Sequence, residues 1–358
     1  METQQSWNRL ATVAVLALGV VAVGFVLHTL SGILLPFVLA GFLSMVFRPL
    51  VHVLRGWRIP LPLVLLAVMV VSASSLWLIY FIISLGVDQF NASSGFYLSQ
   101  LKSVMTTLER AVANLLSMMG ARGPFKFERL LTPEAATTFA TGQLSMFLSL
   151  LSDGVMVLLY LLFMLSASEA FPTKIKAAFV GPRGSAVLEI FESLNKRVRT
   201  YLAVKTAFNL ANGIIAWGIL ELFGVDFAPL IGLLTFLFHY IPNIGSIVTT
   251  LIPGVVYLLQ TGSLGHAGVL VLVLVVVQNI IGNVIEPKVL GDRLELSPVV
   301  VLFSLLFWGW MWGIVGMILS VPIMSSLKVL LEMIPATRPL GILMGSAPQA
   351  AQAKTIES

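Results

Sequence analysis

Two groups of side-chain amides stand inside otherwise apolar stretches of the chain. Asn209 and Asn212 are three apart and share one face of a helix, while Gln278, Asn279 and Asn283 close a second apolar run, with Asn279 and Asn283 one turn apart. Amides donate and accept hydrogen bonds without carrying charge, so such a set suits a neutral, hydroxyl-rich ligand. Hydrogen bonds from helix to helix use the same residues, and both roles fit the spacing. Carboxylates are few: Asp153, Glu221, Asp226 and Glu286 lie near the ends of apolar runs. A carboxylate held in hydrocarbon costs about 2.5–3.5 kcal/mol, and one kept there would be the natural carrier of a proton or sodium ion. Asp153, Asp226 and Glu286 are therefore the candidates for ion coupling, with Glu286 beside Pro287 the best placed; solvated positions at the membrane interface are the other reading.

The elements that must position these groups centre on two apolar hairpins. One runs from Ala228 to Leu259 and breaks at Tyr240-Ile241-Pro242-Asn243-Ile244-Gly245; the other runs from Ser297 to Leu330 and breaks at Gly309-Trp310-Met311-Trp312-Gly313. Laid over each other without a gap they share Pro229 with Pro298, Thr235 with Ser304, Phe238 with Phe307 and Pro253 with Pro322. Apolar matches are cheap in such a sequence, but two prolines at equal separation fix the same backbone angle and remove the same donor in each copy. The pair reads as an internal repeat. Each arm is about 16 residues, roughly 24 Å at 1.5 Å per residue, short against a hydrocarbon core of about 30 Å. Such arms either cross obliquely or turn back at mid-depth. Broken helices free backbone groups that hydrocarbon cannot satisfy and a polar substrate can, which is the recurrent plan of secondary transporters with inverted repeats. The predicted hairpin breaks are Pro242, Gly245, Gly309 and Gly313, and the predicted substrate lining is Asn209, Asn212, Tyr240, Asn243, Gln278, Asn279, Asn283, Trp308 and Trp310. The tryptophans suit a pocket wall and equally a membrane interface.

Composition sets the class. Of 358 residues, 58% are hydrophobic and 10% charged, with mean hydropathy +0.99. Soluble proteins carry about 25% charged residues, so this chain belongs in a membrane. The net charge of +5 resides in short loops between apolar runs, where it acts as a topology signal and gives no reason to expect nucleic acid. The chain has no cysteine, which excludes disulfides and thiolate chemistry, and its histidines at 28, 52, 239 and 266 are too scattered for a metal cluster. No phosphate-cradling Gly-Lys-Ser/Thr, His-Glu-x-x-His or Gly-x-Ser-x-Gly occurs, so neither an ATP motor nor a hydrolase is expected, and no cofactor.

Along the chain, 10–27 and 30–47 read as a transmembrane hairpin broken at Thr29, Ser31 and Gly32. The basic loop with Arg48, His52, Arg55 and Arg58 is then cytoplasmic, and a third span covers 61–85. The predicted organisation is N-terminal transmembrane helices at 1–86, an extracytoplasmic amphipathic helical segment at 87–142, a transmembrane helix at 143–166 and a cytoplasmic amphipathic segment at 167–205. Repeat 1, a span plus a hairpin, covers 206–260; repeat 2 covers 265–333, with a polar loop over 286–295; 334–358 is a flexible cytoplasmic tail. The fold class is an all-α integral membrane protein with about six full transmembrane helices plus two short inverted-repeat hairpins, up to about ten crossings. Both termini are cytoplasmic on this reading.

Three stretches together carry a resemblance: Tyr240-Ile241-Pro242-Asn243-Ile244-Gly245-Ser246; Gly282-Asn283-Val284-Ile285-Glu286-Pro287-Lys288; and Phe307-Trp308-Gly309-Trp310 with Gly316-Met317-Ile318-Leu319-Ser320-Val321-Pro322. With these the chain resembles the AI-2E transporter family over essentially its whole length. The resemblance implies a multi-pass protein of the bacterial inner membrane that exports the quorum-sensing signal autoinducer-2 or a similar small polar metabolite. It also implies a homo-oligomer, a pentamer, in the lipid bilayer. Sodium(potassium)/proton antiport, credited to some relatives, is the alternative.

Overall fold

The computed structural model describes residues 15, 18, 19, 21–118, 154–168, 170–179, 182–290 and 296–346. Among these the chain is helical throughout, with only an isolated bridge between Leu296 and Gly345. In order, α1 is the helix at 21–29, α2 is Ser31–Gly56, α3 Leu61–Met118, α4 Gly154–Ser168, α5 Phe171–Ala178, α6 Pro182–Phe223, α7 Ala228–Phe238, α8 Ile244–Thr261 and α9 Leu264–Asn279. A π-helical segment, Ile280–Ile285, leads into α10, Glu286–Leu290; α11 is Pro298–Met333 and α12 Arg338–Leu343. Among the described residues six helical stretches are long and apolar enough to cross a membrane: Ser31–Gly56, Leu61–Val104, Val187–Phe223, Ile244–Thr261, Leu264–Val289 and Pro298–Met333. The protein is an all-α integral membrane protein.

The helices divide into two compact units. One contains 1–65, 155–199 and 294–358, the other 66–154 and 200–293. Asp153 and the loop at 291–295 lie outside the described residues, as do all of 119–152, which takes in the end of the predicted extracytoplasmic segment and the start of the predicted helix at 143–166, and the tail from 347.

Several helices run further than the sequence suggests. The amphipathic stretch after residue 87 continues the third span without a break, because no proline interrupts α3 after its first turn at Pro62. The charged stretch predicted to be cytoplasmic and the span at 206 are likewise one helix, α6, which starts at Pro182 and stops at Gly224, whose φ of 67° ends the ladder. The expected reversal at Thr29, Ser31 and Gly32 is a bend instead. Leu30 N–H donates to the Val26 carbonyl at 2.9 Å and Leu34 N–H to the Leu30 carbonyl at 2.9 Å, so helical bonding carries across. The parity that placed the N-terminus in the cytoplasm rested on that reversal.

The polar loop expected from residue 286 is helical as far as Leu290. Pro287 explains the change of pitch before it: proline has no N–H and its ring crowds the carbonyl four residues back, and the wider π turn relieves both. Past the transmembrane helices, the expected flexible tail contains α12, which begins at Arg338 with Pro339 in its first turn and sets Gly341 against Glu332 and the Lys328 carbonyl.

Each hairpin is observed within its own unit. In the first, α7 ends at a turn where Asn243 has φ 62°, and α8 then returns. A side chain at Gly245 would collide with the Phe238 carbonyl, so only glycine lets the arms meet there. In the second, α11 folds back on itself at Trp312 (φ −131°) and Gly313 (φ 63°). Ser304 Oγ donates to the Ser320 carbonyl at 3.0 Å, although sixteen residues of straight helix would separate them by about 24 Å. Gly316 sits against the Trp308 carbonyl as Gly245 sits against Phe238. In the ungapped overlay the two positive-φ residues, Asn243 and Gly313, fall one residue apart.

Candidate functional site

The polar interior of the second unit is built along one stripe of α6. Lys205, Asn209 and Asn212 recur at four- and three-residue steps, so a single helix face carries all three. Asn209 is fully buried. With its amide assigned the orientation that satisfies both ends, the nitrogen donates to the Lys205 carbonyl at 3.2 Å and the oxygen accepts from Tyr240 N–H at 3.1 Å. Thr206 and the Tyr240 hydroxyl are 2.6 Å apart. The break of the first hairpin is thereby tied to α6 through the backbone and the side chain of Tyr240. His239 adds a local tie, its Nδ1 lying 2.8 Å from the Thr235 carbonyl.

Lys205 also reaches α10, where its Nζ meets Glu286 Oε1 at 2.6 Å. Both side chains are nearly buried, with 13% and 12% exposure. In such surroundings a matched pair is tolerable where a lone charge is not. The π turn just before Glu286 sets the phase that aims this carboxylate at α6.

Two buried amides are left without protein partners. Asn212 is 2% exposed and neither its nitrogen nor its oxygen makes a hydrogen bond. Gln278 on α9 accepts from Thr250 Oγ1 at 3.2 Å and, at the limit, from Thr249 Oγ1 at 3.5 Å, but its Nε2 is unpartnered. An unmet buried polar group costs about 1–3 kcal/mol. Donors and acceptors left open in this way are what a hydroxylated guest would meet.

The remaining predicted lining residues lie elsewhere. Asn243 is exposed at the hairpin turn. Asn279 and Asn283 stack as their spacing predicts, Asn283 Nδ2 donating to Asn279 Oδ1 at 2.7 Å, but on an exposed face, while Gln278 is buried. Trp308 and Trp310 belong to the first unit. There Trp310, 68% exposed, stacks on His28 with ring centroids 5.3 Å apart, and Trp312 Nε1 donates to the Leu27 carbonyl at 3.3 Å. Trp308 is buried against Met311 and Trp312 with its indole N–H unpartnered. Pro242 and Gly245 stand at the first break and Gly313 at the second, while Gly309 packs against the Met317 side chain, short of the turn.

Of the candidate coupling carboxylates, Asp226 is engaged in a structural latch. It accepts from the Tyr97 hydroxyl at 2.5 Å and from Gln89 Nε2 at 3.2 Å, and its own N–H donates to Gln260 Oε1 at 3.1 Å. Those contacts pin the extended end of α3 to the entry of the first hairpin. Among the described residues no group of three or more metal-ligating side chains converges. Sequence reading missed Lys205, Thr206, Thr249 and Thr250. The available signals were Lys205 one turn before Asn209 and an adjacent threonine pair within an apolar arm.

Comparison with known proteins gives the family. The family model described as AI-2E family transporter matches residues 10–336. The AI-2 transport protein TqsA of Escherichia coli (strain K12) is 31% identical over 314 residues, 87% of this chain and 89% of that protein. YhhT of the same organism is 31% identical over 345 residues, covering 94% of this chain and 93% of its own length. A Haemophilus influenzae relative is 32% identical over 341 residues, 92% of this chain and 95% of its own. The chain belongs to the AI-2E transporter family.

Proposed function

We infer that this protein is a secondary transporter of the bacterial inner membrane that exports autoinducer-2, the substrate in the name of TqsA, or a similar small, uncharged, polar metabolite. The observation that carries the reading is the pair of buried amides, Asn212 and Gln278, with open hydrogen-bonding capacity beside a broken hairpin. An uncharged polyhydroxylated guest satisfies such groups without bringing charge into the membrane. Asn209 and Tyr240 hold the hairpin break in position, and Thr249 and Thr250 orient Gln278. The two hairpins form an inverted pair, one entering from each side. Their first arms, about 16 Å for the eleven residues of α7 and about 22 Å for 298–312, turn back before crossing a core of about 30 Å. The subunits assemble as a homo-oligomer, a pentamer.

Substrate-resolved flux in proteoliposomes tests this. Autoinducer-2 movement with no proton signal on adding sodium or potassium is the expected result; a cation-dependent proton signal without autoinducer-2 movement overturns it. The second reading, sodium(potassium)/proton antiport, rests on Glu286, because a cation could take the place of Lys205 on that carboxylate. On that reading Glu286→Gln eliminates the proton signal; on ours there is none to eliminate. The inverted arrangement predicts that a cysteine at Ser263 labels from outside and one at Arg293, beyond the described residues, from inside. Labelling of both from one side excludes it.

A further inference from the structure

A second polar feature lies in the first unit, apart from the amides. Met45 and Arg48, one turn apart near the end of α2, face Glu192, Asn195, Lys196 and Arg199 on the early part of α6 across a cleft of about 160 Å³. The α6 residues fall at three-, four- and seven-residue steps, so they share one helix face. Three cations against one carboxylate leave the lining positive. Arg48 and Arg199 are half-buried, and among the described residues neither makes an ion pair. The Asn195 amide nitrogen is already committed to the Phe191 carbonyl at 3.1 Å. Two guanidinium forks on one cleft, neither of them paired with the Glu192 carboxylate, match the oxygens of a phosphate, which they can grip in bidentate fashion.

The depth of the cleft bears on what carries that phosphate. α2 is a membrane span whose apolar run ends near Arg48, and Trp57, just past its last turn, is 72% exposed. Exposed tryptophan and clustered arginine at a span's end mark the headgroup layer, and basic pockets between spans there hold acidic lipids. We propose that this cleft binds a phosphate group, presented by the headgroup of an acidic phospholipid.

The test uses the full chain purified in detergent, with phosphatidylglycerol or phosphatidylcholine added and bound lipid counted by native mass spectrometry. Phosphatidylglycerol is expected to be retained in preference. Arg48→Gln and Arg199→Gln are each expected to weaken its retention about fivefold, while Arg58→Gln, outside the cleft on an exposed turn, leaves it unchanged. Equal retention of the two lipids by the unaltered protein overturns the proposal, and so does an equal loss in Arg58→Gln, which would reduce the effect to diffuse surface charge. The unaltered protein also separates the sources of phosphate. Competition by millimolar glycerol phosphate would assign the site to a soluble phosphate and overturn the lipid; resistance to it upholds the headgroup.

Discussion

The two hairpins have the same frame and different contents. Both turn at a positive-φ residue and both close where a glycine meets a carbonyl of the opposite arm, Gly245 on Phe238 and Gly316 on Trp308. The break of the first is joined to a neighbouring helix by polar bonds, Tyr240 to Thr206 and to Asn209. The break of the second is wrapped in rings and aliphatic chains: Trp308, Met311 and Trp312 with Leu27, Leu34, Leu35 and Val38, and Trp310 stacked on His28. A repeated backbone device has thus been given two environments. Polar capacity in excess of what the protein itself satisfies is concentrated around the first, which is why we place the substrate chemistry there and read the second as a mechanical counterpart.

The shared frame can be broken most severely at its glycines. Gly245→Ala and Gly316→Ala each force a methyl into a backbone carbonyl, and over-packing of that kind costs about 3 kcal/mol; a loss of folded protein on size-exclusion is the expected outcome for both. Gly282→Ala, with open space around its Cα, should leave the elution profile unchanged. If Gly316→Ala alone were tolerated, the frames would not be equivalent.

The contents separate at the next level. Lys205→Met strands Glu286 and should destabilise the protein by about 3 kcal/mol, read as a fall in Tm in detergent; adding Glu286→Met should recover most of it, since a well-packed apolar pair can replace a buried ion pair. Failure of the double variant to recover would give the pair a role beyond mutual neutralisation. Asn209→Leu removes two satisfied hydrogen bonds and should lower stability by about 1–3 kcal/mol. At the aromatic break, Trp312→Phe loses the bond to Leu27 and part of the indole's packing against Trp308 and Met311, so about 1–3 kcal/mol is expected, with transport retained.

Much of this was legible in the sequence because it depends on residues with few conformational choices. Matched prolines, with glycines at the breaks, located both hairpins, and the all-helical membrane class followed from composition. Helix continuity was not legible. The change of polarity at residue 87 and the charge run before 206 mark where solvent begins, and a helix can pass through that boundary without breaking, as α3 and α6 do. The amide set was half legible for a related reason. Spacing predicted that Asn279 and Asn283 would stack, which they do, but periodicity cannot tell the buried face from the exposed one when nearly every neighbour is apolar. Gln278, adjacent in sequence, faces the interior instead. The Lys205–Glu286 pair joins residues far apart in the chain, and only the fold brings them together.

The central claim, that the unpartnered amides recognise an uncharged polar substrate, is tested most directly by autoinducer-2 flux through Asn212→Leu in proteoliposomes, with Tm measured on the same preparation. Because Asn212 makes no protein hydrogen bond, its removal should leave Tm unchanged or raised while flux falls at least tenfold, about 1.4 kcal/mol in transition-state terms. Parental flux at unchanged Tm would contradict the claim and remove Asn212 from the site.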